Sequence, residues 1–106
     1  MINNSQDTLS IIRNSASNLL PNCKVLLFGS RARKDNVPES DYDFLIITKD
    51  GMDIREKRAY QSQLRAELAK YKIPADILIQ SEEEIQVKKE IIGHIVREVL
   101  KEGIAI

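Results

Sequence analysis

The stretch LLFGSRARKDNVPESDYDFLII, residues 26–47, contains two short apolar runs separated by polar residues. The first run ends at Gly29-Ser30, and after ten further residues the second begins inside the pair Asp41 and Asp43. Short apolar runs bounded by turn residues are typical of buried strands. The stretch therefore predicts two strands whose polar residues lie at the strand ends, where the first strand exits and the second begins.

The rest of the sequence extends this pattern to alternating helices and strands. Residues 24–28, 42–48 and 75–80 are predicted strands, and residues 5–20 and 53–72 have apolar residues at helical spacing. A short helical turn should follow Gly29, and a capping box at Ser81 should begin a last helix that ends near Gly103. The order αβαβαβα predicts a single α/β domain, residues 1–106, with helices packed on one face of a small sheet.

Composition excludes several classes of protein. Sixteen basic and sixteen acidic side chains give a formal net charge of zero, which argues against nucleic acid as a direct partner. The single cysteine, Cys23, excludes an internal disulfide framework. The beginning of the sequence lacks a signal-peptide pattern, and no apolar run approaches the roughly 20 residues of a membrane span, so we expect a cytoplasmic protein without a membrane partner. A chain of 106 residues is also short for an enzyme that acts alone, so we expect an active site that is either open or completed by a partner.

Asp41 and Asp43 are spaced to share one face of their strand. Side chains two residues apart on a strand point the same way, roughly 7 Å apart along the backbone. Carboxylates aimed at one point repel each other unless a cation lies between them. Mg²⁺ is the natural candidate, because it binds carboxylate and phosphate oxygens. Tyr42, between the two aspartates, should face the opposite side of the sheet and pack in the core.

The Gly29-Ser30 turn has the features of a phosphate site. A strand that ends at glycine and leads into a helix directs free backbone N–H groups beyond the strand. Gly29 allows a phosphate to approach closely, Ser30 adds a hydroxyl, and Arg31 and Arg33 add positive charge.

Asp76 begins the third strand as Asp43 begins the second. If these strands are neighbours, Asp76 reaches the same site, where it could bind metal and act as general base on an incoming hydroxyl. Each motif alone is more often structural: an Asp-X-Asp pair is commonly a solvated turn, and Asp76 could simply cap its strand. The combination of the motifs at one end of the sheet favours a catalytic site.

The pattern Gly29-Ser30, ten residues, Asp41-Tyr42-Asp43 resembles the nucleotidyltransferase family related to DNA polymerase beta. The sequence motif GSRAR…SDYD is similar to that of the minimal nucleotidyltransferase (MNT) group, whose members are paired as antitoxins with HEPN-domain toxins. The resemblance is strong over residues 24–48 and looser elsewhere. It implies a mixed sheet. It also implies that Asp41, Asp43 and Asp76 are ligands of two Mg²⁺ ions and that Gly29-Ser30 binds the triphosphate.

The resemblance also implies a reaction. A nucleoside triphosphate, with ATP expected, would donate its nucleoside monophosphate to a hydroxyl, and the acceptor would be a tyrosine of a HEPN toxin. One departure is Lys34, because many members of the group have glycine there. Lys34 would either stiffen the loop 34–40 or contact a phosphate.

Two other functions remain open at this point. The acceptor could be a small molecule such as an aminoglycoside, for which a homo-oligomer could supply the missing acceptor site. Alternatively, the chain could neutralise a partner by contact alone and keep the site as a relic. Retention of all three carboxylates and of Ser30 disfavours the relic.

Overall fold

The structure, a computed structural model, describes residues 5–106, with side chains from residue 7 onward. Residues 1–4, which belong to the predicted single domain and to the stretch examined for a signal peptide, lie outside the described part. The elements, in chain order, are α1 Ser5–Leu19, β1 Lys24–Phe28, α2 Gly29–Arg33, β2 Tyr42–Thr48, α3 Ile54–Ala69, β3 Ala75–Ser81, α4 Glu82–Lys88, α5 Ile95–Glu102 and β4 Ile104–Ala105.

The strands form one mixed sheet in the order β3-β2-β1-β4. β2 runs parallel to β3 and antiparallel to β1, and β4 is antiparallel to β1. The predicted α/β class and mixed sheet are confirmed.

The main core lies between the sheet and the two long helices, α1 and α3. One face of each helix meets alternate residues of the strands, as the helical and strand periodicities require. The side chains that fill this layer are apolar and almost fully buried, and they include Ile12, Ala16, Phe44, Ile46, Leu64, Leu68, Ile77 and Ile79.

The second face of the sheet is also covered, which the sequence analysis did not expect. Leu45, on the face of β2 opposite to Phe44, is fully buried against Ile85 of α4 and against Val96 and Val99 of α5. The prediction of helices on one face therefore holds for α1 and α3 and is wrong for α4 and α5. A central strand with buried residues on both faces requires cover on both faces.

The predicted last helix is interrupted, and the chain then returns to the sheet. Gly93 has φ of +83°, a conformation that glycine adopts readily, and His94 begins α5 by accepting a hydrogen bond at Nδ1 from the Val96 N–H at 3.1 Å. After Gly103, the two residues of β4 pair with Leu26 and Leu27 of β1.

An ion pair joins α3 to α4 at the far end of the sheet from Asp41 and Asp43. The predicted capping box of Ser81 and Glu84 is present. The Glu84 carboxylate also lies 2.7 Å from Nζ of Lys57, whose side chain is 11% exposed. Burial alone would raise the pKa of Glu84, but hydrogen bonds from Lys57 and from the Ser81 N–H, with the charges of Lys57 and Lys88, lower it.

Helix length and composition bear on membrane insertion. Between residues 5 and 106, none of the helices is both long enough and apolar enough to cross a bilayer.

Candidate active site

The strand register brings three strand ends to one edge of the sheet. Asp43 of β2 is the direct partner of Asp76 on parallel β3. On its other side, Asp43 pairs with Phe28, the last residue of antiparallel β1, which Gly29 follows. The expected meeting of the first strand's exit with the beginnings of the second and third is confirmed.

Gly29 packs directly against the carboxylate of Asp43. A Cβ built on Gly29 would overlap the Asp43 Oδ2 atom and would lie 3.0 Å from its Cγ. Gly29 also has φ of +73°, which disfavours an L side chain. Two independent constraints therefore favour glycine at this position: the backbone conformation and the space occupied by the Asp43 carboxylate.

The electrostatics of Asp43 are those of a crowded carboxylate. Partial burial raises its pKa, and the negative charges of Asp76 and Asp41 raise it further, while Arg33 opposes the shift. The negative charges of all three predicted carboxylates therefore act on one another at the position of Asp43. Asp43 is half-buried, whereas Asp41 and Asp76 are exposed to solvent.

The carboxylates suit a hard cation that is shared with other ligands. Within residues 5–106, no three acidic, histidine or cysteine side chains come close enough to form a complete metal centre. Mg²⁺, however, is commonly held by one or two carboxylates, with water and substrate phosphates completing its shell. The oxygen donors and the mutual repulsion around Asp43 fit that kind of binding.

Gly29 and Ser30 begin the five-residue helix α2 at this edge of the sheet. The N-cap residue is Phe28, whose side chain has no acceptor atom and so does not cap the first N–H groups. The first N–H groups of α2 and the Ser30 hydroxyl are hydrogen-bond donors at this edge of the sheet.

Lys34 ends α2 in the left-handed conformation, with φ of +63°. This position at a helix end commonly favours glycine. Backbone conformation therefore gives a physical reason for the glycine that many members of the resembling group have there.

The two arginines of α2 have different surroundings. Arg33 is exposed and pairs with Asp35 at 3.1 Å and with Glu102 of α5 at 3.3 Å. Arg31 instead donates hydrogen bonds to backbone carbonyls of the following loop and stacks on Tyr42, with its Cζ atom 4.0 Å from the ring centroid. The contact between Glu102 and Arg33 has no local signal in the sequence, because the two residues are 69 positions apart.

Comparisons with known proteins agree with this geometry. Residues 12–104 match the family described as polymerase beta, nucleotidyltransferase. No curated protein gives a significant match to the sequence.

Several solved structures share the fold. A toxin–antitoxin structure with AMP-PNP gives a TM-score of 0.59 at 16% identity, covering 91% of this chain and 69% of that one. A nucleotidyltransferase-like protein from Sulfolobus solfataricus gives 0.59 at 19% identity, covering 94% and 82%. The complex of a tri-AMPylated Shewanella oneidensis HEPN toxin with its MNT antitoxin gives 0.57 at 14% identity, covering 94% and 69%.

Proposed function

Because the chain belongs to the polymerase beta nucleotidyltransferase family, we propose that it transfers a nucleoside monophosphate from a nucleoside triphosphate to a hydroxyl group. The triphosphate is ATP, the transferred group is AMP, and pyrophosphate leaves. The observation that supports this most strongly is the register of Asp43 with Asp76, together with the close packing of Gly29 on the Asp43 carboxylate.

The roles of the site residues follow from their chemistry. Asp41, Asp43 and Asp76 would hold two Mg²⁺ ions together with water and the substrate phosphates, and the ions would supply Lewis-acid stabilisation of the attacking and leaving oxygens when bound. Asp76 would accept the proton of the incoming hydroxyl at its carboxylate. The Gly29 and Ser30 donors would bind the triphosphate.

Arg33 would add positive charge near the leaving group. Its charge already reaches the site, because it opposes the rise in the pKa of Asp43. Its pairs with Asp35 and Glu102 are exposed, and because solvent screens such pairs they can exchange for phosphate at little cost.

The acceptor that we propose is a tyrosine hydroxyl of a HEPN-domain toxin, which makes this chain a cytoplasmic antitoxin. Three features of the structural relatives support this choice: a toxin–antitoxin pairing, AMP-PNP in one structure, and AMP groups on the HEPN toxin in another. In the proposed reaction, the tyrosine oxygen attacks the α-phosphorus, the bond to the β,γ-pyrophosphate breaks, and the phenolic proton passes to Asp76.

The test is label transfer from α-labelled ATP, with Mg²⁺, to the product of the neighbouring gene. We expect wild-type protein to label a HEPN tyrosine, and Asp43→Asn or Asp76→Asn to lose at least about a hundredfold in rate. Asp50→Asn is the matched control, since Asp50 is an exposed aspartate beyond the opposite end of β2, and it should leave transfer unchanged.

Two results would contradict the proposal. Equal labelling by wild type and Asp43→Asn would show that the carboxylates do not support transfer. Full neutralisation of the toxin by Asp43→Asn, without labelling, would show that contact alone is sufficient.

A further inference from the structure

Arg31 holds the loop that leads into the catalytic aspartates. Its Nε and Nη2 groups donate to the Ser40 carbonyl at 3.2 and 2.8 Å, and Nη2 also donates to the Pro38 carbonyl at 3.1 Å. Hydrogen bonds from a charged donor are shorter and about twice as strong as neutral ones. Ser40 directly precedes Asp41, so these bonds fix the chain at the entrance to β2.

The Arg31 guanidinium also stacks on the Tyr42 ring, which lies on the opposite face of the sheet from the Asp43 carboxylate. Tyr42, whose ring lies 4.0 Å from the Arg31 Cζ, belongs to the core layer beneath α1 and α3. Asp43 is the next residue along β2, and neighbouring side chains on a strand point to opposite faces. The Arg31 guanidinium therefore occupies a position between the loop and the core rather than over the carboxylates.

The loop also has hydrogen bonds of its own between Val37 and Ser40, next to the carbonyls that Arg31 binds. The Ser40 N–H donates to the Val37 carbonyl at 3.0 Å, and the Val37 N–H donates to the Ser40 Oγ at 3.0 Å. Tyr42 then enters β2 by donating its N–H to the Pro74 carbonyl at 2.9 Å. Hydrogen bonds therefore hold the backbone on both sides of Asp41. The loop turn and the Arg31 contacts hold residues 37–40 before it, and the Tyr42 bond holds the entrance to β2 after it.

We propose that Arg31 is a positioning residue for nucleotidyl transfer, which places Asp41 by fixing residues 38–42, and that it is not a ligand of the triphosphate. This inference rests on the proposed function, and it replaces the expectation from sequence that Arg31 binds phosphate. Asp41 lies outside the strand and is exposed, so its place depends on the loop before it. A displacement of about 1 Å in such a group can reduce a rate about a hundredfold.

The two roles of Arg31 make opposite predictions. A phosphate ligand can be partly replaced by lysine, and its loss weakens nucleotide binding. A residue that bridges two carbonyls and stacks on a tyrosine needs the planar fork, so lysine cannot replace it, and its loss loosens the loop without weakening nucleotide binding.

Backbone hydrogen exchange of the Val37 and Ser40 amides tests the loop directly, without nucleotide or acceptor. We expect Arg31→Ala and Arg31→Lys both to accelerate exchange at these amides by about tenfold or more, since each charge-assisted bond is worth at least that factor. Arg33→Ala is the matched control from the same helix and should change this exchange by less than about threefold.

Nucleotide binding and transfer complete the test. In Arg31→Ala, the Kd for a non-hydrolysable ATP analogue with Mg²⁺ should change by less than about threefold, while kcat falls about 10- to 100-fold. Arg58→Ala, an exposed arginine of α3, should leave kcat and Kd unchanged. Absence of transfer by wild-type protein would refute the proposed function, whereas the exchange measurement still decides whether Arg31 fixes the loop. Exchange within twofold of wild type in Arg31→Ala, or a tenfold weaker Kd with unchanged exchange, would overturn the inference.

Discussion

Replacing Gly29 by alanine tests the fit between the β1–α2 turn and the catalytic carboxylates. The added methyl group would overlap the Asp43 Oδ2 atom and crowd its Cγ, which would lie 3.0 Å away. The obstructing atoms are at the end of a side chain, so Asp43 can rotate away. We therefore expect the substitution to affect catalysis far more than folding.

The expected loss of stability has two parts. An L residue at φ of +73° costs about 1–2 kcal/mol. Moving the Asp43 side chain from its preferred rotamer costs a further 0.5–1.5 kcal/mol or so. The transfer rate should fall by about a hundredfold or more, because Asp43 can no longer occupy its position.

Gly93 provides a matched control on the same chain. It has a similar φ of +83°, but a Cβ built there would have no atom within 4 Å. Gly93→Ala should therefore show the backbone cost alone, about 1–2 kcal/mol, with transfer within about threefold of wild type. The assays are chemical denaturation and label transfer from ATP, both at the same pH and salt.

A double variant isolates the overlap. Asp43→Ala removes the atoms that a methyl group at residue 29 would meet most closely, so Gly29→Ala should destabilise this background less than wild type, by about 0.5–1.5 kcal/mol. Two results would refute the reasoning: Gly29→Ala with transfer within twofold of wild type, or Gly93→Ala with an equal loss of transfer.

Three further predictions concern stability. The pKa of Asp43 is raised in the fold, so its ionisation opposes folding, and the free energy of unfolding should fall as pH rises from the ordinary aspartate pKa to the raised one. In chemical denaturation, Asp43→Asn should remove this slope and stabilise the protein at pH 7, but by less than about 1 kcal/mol, because solvent screens a carboxylate that is only partly buried. Glu84 has a lowered pKa in the fold, so its contribution to stability is present above its ordinary pKa and is lost as pH falls through the folded value. Glu84→Gln should cost about 1–3 kcal/mol of stability at pH 7, because it leaves Lys57 unpaired. The double variant with Lys57→Met should recover most of this loss. Lys34→Gly should stabilise the protein by about 0.5–1 kcal/mol, because glycine suits the left-handed conformation of residue 34, whereas Lys34→Ala should not. A loss of nucleotidyl transfer in both variants would instead indicate that Lys34 contacts a phosphate.

The three central strands could be predicted from sequence because their signals are local. The apolar runs at 24–28 and 42–48 match β1 and β2 residue for residue, and the third strand extends one residue further, to Ser81. The meeting of Asp76 with Asp43 was expected only if the second and third strands are neighbours, and the order of the sheet confirms that condition. What the sequence could not give was the register, which depends on how the strands pair.

The missed features depend on contacts between distant residues. β4 is only two residues long, and it exists because Ile104 and Ala105 reach β1. The break before α5 depends on the left-handed conformation of Gly93, which an apolar periodicity does not reveal. The hydrogen bonds of Arg31 to Ser40 and its stacking on Tyr42 likewise need the folded loop, whereas the sequence shows only the charge and the forked donors that suit a phosphate.

The proposed activity requires that the edge of the sheet formed by Gly29, Asp43 and Asp76 bind a divalent cation beneath a triphosphate. Paramagnetic broadening of backbone amide signals by Mn²⁺, in the presence of a non-hydrolysable ATP analogue, tests this most directly. We expect the signals of these three residues to be the first to disappear in wild-type protein and to persist in Asp43→Asn/Asp76→Asn. Broadening centred elsewhere on the chain, or equal broadening in the double variant, would contradict it.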